Sequence, residues 1–203
     1  MTRTRFVVIG ADAAGMSAAS EARRTDPDLE IVAFDRGAYA SYSQCGMPYW
    51  LGGAVEARER LTARSVEAFA RRRIDVRLAH EVLAVDPAPA VVRVRDAHTG
   101  READEPYDRL LVATGASPVA IPLPGRDLDG VFHLDVLEDA VRIEAFLRAE
   151  RPRRAVIVGG GYVGLEMAEA LTRRGLGVSV VERGEQLFPG VDFELAEPIE
   201  AEL

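Results

Sequence analysis

Short apolar runs closed by a glycine or an acid recur along the chain. Arg5-Phe6-Val7-Val8-Ile9 is rich in β-branched residues and stops at Gly10, which predicts a short buried strand. Met16 to Arg24 is Ala-rich and of good helix propensity. Leu29 to Phe34 predicts a second strand, ending in Asp35. The same order returns later, with a strand over Ala155–Val158, a helix over Leu165–Arg174 and a strand over Val178–Val181 ending in Glu182. Between the two repeats, Thr62 to Arg73 reads as a helix. Its Arg71-Arg72-Arg73 end suits a helix C-terminus, where cations are favoured, or else an anion-binding rim. Ile74–Leu78, Glu81–Asp86, Val91–Arg95 and Tyr107–Ala113 read as strands, with turns at Pro87-Ala88-Pro89 and His98-Thr99-Gly100. Leu134 to Arg148 is an amphipathic helix with Leu137, Val141, Phe146 and Leu147 as inward candidates.

Strand, tight glycine turn, helix, strand and terminal acid are the ordered parts of a dinucleotide-binding fold. The first turn is Gly10-Ala11-Asp12-Ala13-Ala14-Gly15, and the second is Gly159-Gly160-Gly161-Tyr162-Val163-Gly164. The expected class is α/β: two tandem Rossmann-like, three-layer folds, the first carrying a small antiparallel β-meander and the second truncated. Pro118, Pro122, Pro124 and Gly125 make a non-helical crossing between them. The expected domains are 1–118, a crossover with its helix over 119–150, and an incomplete second fold over 151–203. In each fold a helix N-terminus would hold the pyrophosphate, and the acid (Asp35 or Glu182) would accept from a ribose hydroxyl. Glu182 favours NAD over NADP, with Arg183 beside it weakening that preference. The first motif departs from the pattern at Asp12, which stands where a glycine usually lets backbone approach the phosphates.

Composition narrows the classes. The chain has 203 residues, 48% of them hydrophobic, enough for a sizeable core. A formal net charge of −8 disfavours nucleic acid as a partner. All 25 basic residues are Arg, which reads as a bias of composition and not as a functional signal. The first apolar run is cut at Gly10, so neither a signal peptide nor a membrane span is expected there, and the expected compartment is the cytoplasm. A single cysteine cannot form an internal disulfide framework or a structural zinc site, and no metal site is expected.

That cysteine, Cys45, lies in Ser41-Tyr42-Ser43-Gln44-Cys45-Gly46-Met47-Pro48-Tyr49-Trp50. A lone Cys is commonly a core residue. Here small polar residues precede it, and Pro48 suits the first turn of a helix that Leu51-Gly52-Gly53 would end. A thiol at such a helix start would be shifted toward the reactive thiolate.

These motifs together resemble the flavin- and pyridine-nucleotide-dependent disulfide oxidoreductases. More narrowly, the chain is similar to the single-cysteine branch that contains coenzyme A-disulfide reductase, with NADH oxidases, NADH peroxidases and persulfide reductases as relatives. The resemblance rests on the first fingerprint with Asp35, the Cys45 segment through Tyr49, Ala113-Thr114-Gly115, and Gly159 to Glu169. Branches with a second redox cysteine are excluded, because none stands near Cys45. The resemblance implies FAD and NADH as cofactors, with NADPH as the alternative nucleotide. Gly10, Ala11, Asp12, Ala13, Ala14, Gly15, Asp35 and Arg36 would line the FAD pyrophosphate and ribose, His80 and Val82 the adenine, and Thr114 and Gly115 the flavin side. Gly159, Gly160, Gly161, Tyr162, Val163, Gly164 and Glu182 would take the nicotinamide nucleotide, with Tyr162 as a lid and Glu166 near the nicotinamide. Ser17, Arg24, Ser41 and Gln44 match positions that contact coenzyme A in that branch, and Cys45 is the implied redox thiol.

The implied substrate is coenzyme A disulfide, or a related disulfide or persulfide. In the oxidase and peroxidase relatives the thiol becomes a sulfenic acid instead. Other readings are a flavin reductase that needs no thiol, or a non-catalytic flavin- or nucleotide-binding module. The family's later segment closing the flavin site, and the C-terminal domain that pairs two subunits and supplies the thiol's proton partner, are expected beyond Leu203. His80, His98 and His133 are scattered and do not suggest a substitute.

Overall fold

The computed structural model describes residues 3–119 and 121–201, and its contacts divide the chain into two compact units. The first comprises residues up to Ser43 together with Thr62–Val119. The second comprises Gln44–Leu61 and the residues after Val119. Gln44–Leu61, which carries Cys45, thus packs with the later part of the chain, although it lies between two stretches of the first unit.

The first unit is built on a parallel sheet of β1 (Arg5–Ile9), β2 (Glu30–Phe34), β3 (Ile74–Arg77) and β7 (Arg109–Val112), in the order β3-β2-β1-β7. All pairings run parallel, and β1 lies between β2 and β7. Parallel strands covered on both faces read as continuous apolar runs, as Phe6–Ile9 does. One face is covered by α1 (Ala13–Thr25) and α3 (Val66–Ala70), whose Met16, Ala19 and Phe69 pack with Val8, Ile31, Ala33 and Ile74. The other face is covered by an antiparallel meander of β4 (His80–Asp86), β5 (Val91–Asp96) and β6 (Glu102–Pro106). Val92 and Val94 of β5 pack there on Val7, Ile9, Val32 and Phe34. The result is three layers: helices, parallel sheet, meander.

Two expectations change here. The helix over Thr62–Arg73 is only α3, because Ser65 caps it (Ala68 N–H donates to Ser65 Oγ, 3.3 Å) and Thr62 pairs with Tyr42 in an isolated bridge. Arg73 takes φ +57° and ends the turn, and Arg23 donates to the Arg72 and Arg73 carbonyls at 3.1 and 2.7 Å. Strand β6 was not expected from its sequence. Glu102-Ala103-Asp104-Glu105-Pro106 has no apolar alternation, and pairing with β5 holds it, helped by Arg93–Asp104 (3.2 Å) and Arg77–Glu105 (2.8 Å) ion pairs.

The second unit holds α2 (Met47–Leu51), α4 (Leu137–Glu150), β8 (Arg154–Val158), α5 (Tyr162–Arg173), β9 (Gly177–Val181) and α6 (Phe193–Ala201). Strands β8 and β9 are parallel and form a two-stranded sheet among the described residues. Helix α2 packs on α4 and α5. Leu137, Asp139, Ala140, Ile143 and Glu144 form the buried side of α4. Of the inward candidates only Leu137 is fully buried, while Val141, Phe146 and Leu147 are half-buried. No helix among the described residues is long and apolar enough to cross a membrane.

Candidate functional site

In the first unit the predicted residues converge at the carboxyl ends of β1, β2 and β7. Because β1's partners β2 and β7 lie on opposite sides, this is where an open parallel sheet forms a ligand crevice. Gly10 takes φ +106°, and its N–H donates to the Phe34 carbonyl at 2.8 Å. A Cβ on Gly10 would stand 2.1 Å from the Ala113 carbonyl oxygen, and one on Gly15 would stand 1.9 Å from that of Gly10. Both glycines are therefore required by close backbone approach. Thr114 and Gly115 follow Ala113 and are exposed, so they flank the turn.

Asp35 organises the loop. Its carboxylate accepts from Ala11 N–H and Gly37 N–H, each at 2.7 Å, and its carbonyl accepts from His80 N–H at 2.8 Å. His80 is thereby brought beside the first fingerprint, its ring against Phe34 with centroids 6.3 Å apart. Val82 packs beneath in the meander, and Arg36 is exposed. Asp12 does not cap α1. Its Oδ1 accepts from Tyr42 N–H at 3.1 Å, tying the fingerprint to the strand of residues before Cys45. Burial raises the Asp12 carboxyl above the ordinary range, the Tyr42 and Ala13 N–H groups oppose the shift, and the nearby Asp35 adds to it. Ala13 and Ala14 are exposed at the helix start, and the first turn of α1 carries no acid. An accessible N-terminus without a side-chain cap fits a pyrophosphate.

The second unit repeats the device. Gly159 takes φ +109° and donates to the Val181 carbonyl at 2.8 Å. Gly164 lies under Gly159, where a Cβ would meet the Gly159 oxygen at 2.0 Å. Glu182 accepts from Gly160 and Gly184 N–H, each at 2.7 Å, and these bonds hold its carboxyl below the usual range. Gly161 caps α5 without a side-chain bond, and Tyr162 and Val163 are exposed at the helix start. This N-terminus also fits a pyrophosphate. The Tyr162 ring meets Phe188 edge-on at 4.2 Å, and Phe188 N–H donates to the Gly160 carbonyl at 2.7 Å. Phe188 was not foreseen, since its role depends on a turn at φ +54° that brings it back over the glycines.

Cys45 is exposed in a 3-10 turn, Gln44–Gly46, directly before α2. The helix starts at Met47, one residue before the expected Pro48. Glu166 lines a crevice with Pro48, Tyr49 and Gly52, so it sits beside the Cys45 helix. The four residues matched to coenzyme A positions do not share one unit. Ser17, Arg24 and Ser41 are in the first unit and Gln44 is in the second. The Arg24 guanidinium is engaged by Glu21 at 2.6 Å on the exposed face of α1. Ser41 takes φ +48°, donates from its N–H to the Ala11 carbonyl (2.8 Å) and accepts from Ala63 N–H (2.7 Å).

Two glycine-loop units, each with an acid locking its loop, and an exposed thiol before a short helix define the class of fold: a tandem dinucleotide-binding pattern with a single thiol. The chain belongs to the pyridine nucleotide-disulphide oxidoreductase family, whose profile matches residues 4–203. It is 40% identical over 199 residues to the NAD(P)H sulfur oxidoreductase (CoA-dependent) of Pyrococcus abyssi, covering 97% of this chain and 44% of that protein. It is 35% identical over 200 residues to the coenzyme A disulfide reductase of Staphylococcus aureus, covering 98% and 45%. Among solved structures, reduced Bacillus anthracis CoADR-RHD superposes with a TM-score of 0.96 at 33% identity, covering all of this chain and 37% of that one. The chain therefore spans less than half the length of these relatives.

Proposed function

We propose that this chain is the nucleotide-binding part of an FAD- and NAD(P)H-dependent reductase of coenzyme A disulfide, or of a related disulfide or persulfide. Gly10 to Gly15, Asp35 and His80 would hold FAD, and Gly159 to Gly164 with Glu182 would hold NAD(P)H. A bound flavin supplies a two-electron relay between a nicotinamide and a disulfide. The observation that carries the reading is the exposed Cys45 in a chain with two acid-locked glycine loops. Two relatives support the substrate class by name, the coenzyme A disulfide reductase above and the Pyrococcus horikoshii NAD(P)H coenzyme A polysulfide/persulfide reductase, at 36% identity, and the CoA-dependent sulfur oxidoreductase agrees with it.

The thiol step is thiol–disulfide exchange. The Cys45 thiolate attacks one sulfur of coenzyme A disulfide, the substrate S–S bond breaks, and one coenzyme A leaves as thiolate. A mixed disulfide remains on Cys45. Two electrons from NAD(P)H and a proton from solvent or the protein then release the second coenzyme A and restore the thiol. Glu182 sits where it would disfavour a 2′-phosphate, which makes NADH the preferred donor. In this reading the working protein is a cytoplasmic homodimer. A second reading, oxygen reduction through a Cys45 sulfenic acid, is favoured by 36% identity to the NADH oxidase of Methanocaldococcus jannaschii.

The test is Cys45→Ser in the full-length protein. It should lower coenzyme A disulfide reduction at least about a thousandfold, the scale of losing an obligatory nucleophile, while NADH-to-dye electron transfer persists. Disulfide reduction retained in that variant would overturn the assignment.

A further inference from the structure

The short helix after Cys45 would be unstable by itself, since a single hydrogen-bonded turn does not cover its ordering cost. Its last four carbonyls also need partners. Three find them in the turn that follows: Gly52 N–H donates to Pro48 O (2.8 Å), Ala54 N–H to Tyr49 O (2.8 Å) and Gly53 N–H to Trp50 O (3.0 Å). The fourth, Leu51 O, accepts from Arg174 Nη1 at 3.0 Å, across 123 residues of sequence. Arg174 stands at the C-terminal cap of α5, and the same Nη1, together with Nη2, donates to the carboxylate of Glu144 of α4. Glu144 is buried. Desolvation would raise its carboxyl, but hydrogen bonds and charge from Arg174 and Arg148 outweigh that and hold it below the ordinary range. An ionised Glu144 keeps the guanidinium fixed, and a cation at the C-terminus of α2 also suits the helix dipole.

A second contact lies beside the first. A Cβ on Gly52 would stand 3.0 Å from Ala170 Cα and 3.1 Å from Ala170 Cβ, so the end of α2 lies directly against the backbone of α5. Helix α5 is the one that begins at the second glycine loop. The Cys45 helix is therefore attached at its far end to the helix of the nicotinamide-nucleotide fold, by one charged hydrogen bond and one close glycine contact.

We infer that Arg174, fixed by Glu144 and seconded by Gly52, is a positioning residue for the redox thiol: it holds α2, and with it Cys45, on α5. The inference rests on the reading of Cys45 as that thiol. Arg174 acts through the Leu51 carbonyl.

The test compares two activities in the full-length holoenzyme: reduction of coenzyme A disulfide, which needs Cys45, and reduction of a dye by NADH, which does not. Losing the bond to Leu51 and misplacing the thiol should lower the ratio of the first to the second by about tenfold or more in Arg174→Ala. General damage to the nucleotide fold would lower both together and leave the ratio unchanged. Hydrogen exchange gives a readout apart from turnover. The amides of Gly52, Gly53 and Ala54 should exchange about tenfold faster in the variant while those of α5 keep their rates. Gly52→Ala, which leaves the buried ion pair intact, should lower the ratio by about threefold through the Ala170 contact and serves if Arg174→Ala does not fold. An unchanged ratio together with unchanged exchange over 52–54 overturns the inference. Disulfide reduction persisting in Cys45→Ser would instead overturn the thiol reading on which it rests.

Discussion

Strands β1 and β8 have nearly the same sequence pattern, Arg-Phe-Val-Val-Ile and Arg-Ala-Val-Ile-Val, and the loops after them do the same work. In each unit the first glycine takes a φ near +106° to +109°, the last lies on the first glycine's carbonyl, and the acid ending the second strand holds the next N–H. Their surroundings differ. Val7 and Val8 are fully buried, between β2 and β7 and under two layers, whereas Val156 and Val158 are 66% and 56% exposed. A fingerprint loop therefore closes through its own local bonds, while the sheet beneath it is buried only when neighbouring strands and a covering layer are present. Local geometry defines each glycine loop, and the rest of the fold supplies its stability.

The strongest way to break this comparison is to place a methyl on each first glycine. Gly10→Ala meets the Ala113 oxygen as well as an unfavourable φ, and should unfold or prevent folding of the first unit. At Gly159 nothing among the described residues stands within 4 Å of a Cβ, so Gly159→Ala carries the backbone strain alone, about 1–3 kcal/mol. Urea unfolding of the two variants checks the order. Equal losses would mean that the β7 contact contributes nothing.

A smaller effect comes from pH. Glu182 is held below its unfolded pKa by Gly160 and Gly184 N–H, so its contribution is present above the unfolded carboxylate range and is lost as pH falls through the folded value. Asp12 is raised by burial, so the sign reverses: its contribution is greatest below the unfolded pKa and fades as pH rises through the folded one. Melting temperature followed from pH 6 to about pH 3 should therefore fall less steeply in Glu182→Gln than in the parent, and more steeply in Asp12→Asn. Parallel curves for all three proteins would remove this distinction between the loops.

Much of the site was legible because its parts are local. Gly10, Gly15, Gly159 and Gly164 are read from spacing because φ or close backbone approach excludes a side chain, and Asp35 and Glu182 because each accepts the N–H of the residue after the first glycine. The meander was legible through β4 and β5, where Val82, Val92 and Val94 alternate toward the sheet. Its third strand was not, because β6 is acidic and is held by arginines on other strands. The helix expected over Thr62–Arg73 shortened because Ser65 caps it late and Thr62 has a bridging partner. Propensity does not register either effect. Arg174 and Glu144 were missed for the same reason as β6: their partner, the Leu51 carbonyl, is named by folding and not by spacing.

The most direct test is to treat NADH-reduced full-length protein with limiting coenzyme A disulfide, quench in acid and map the peptides. The expected result is a coenzyme A mixed disulfide on Cys45, released again by further NADH. Turnover of the disulfide with no adduct at Cys45 would contradict the account.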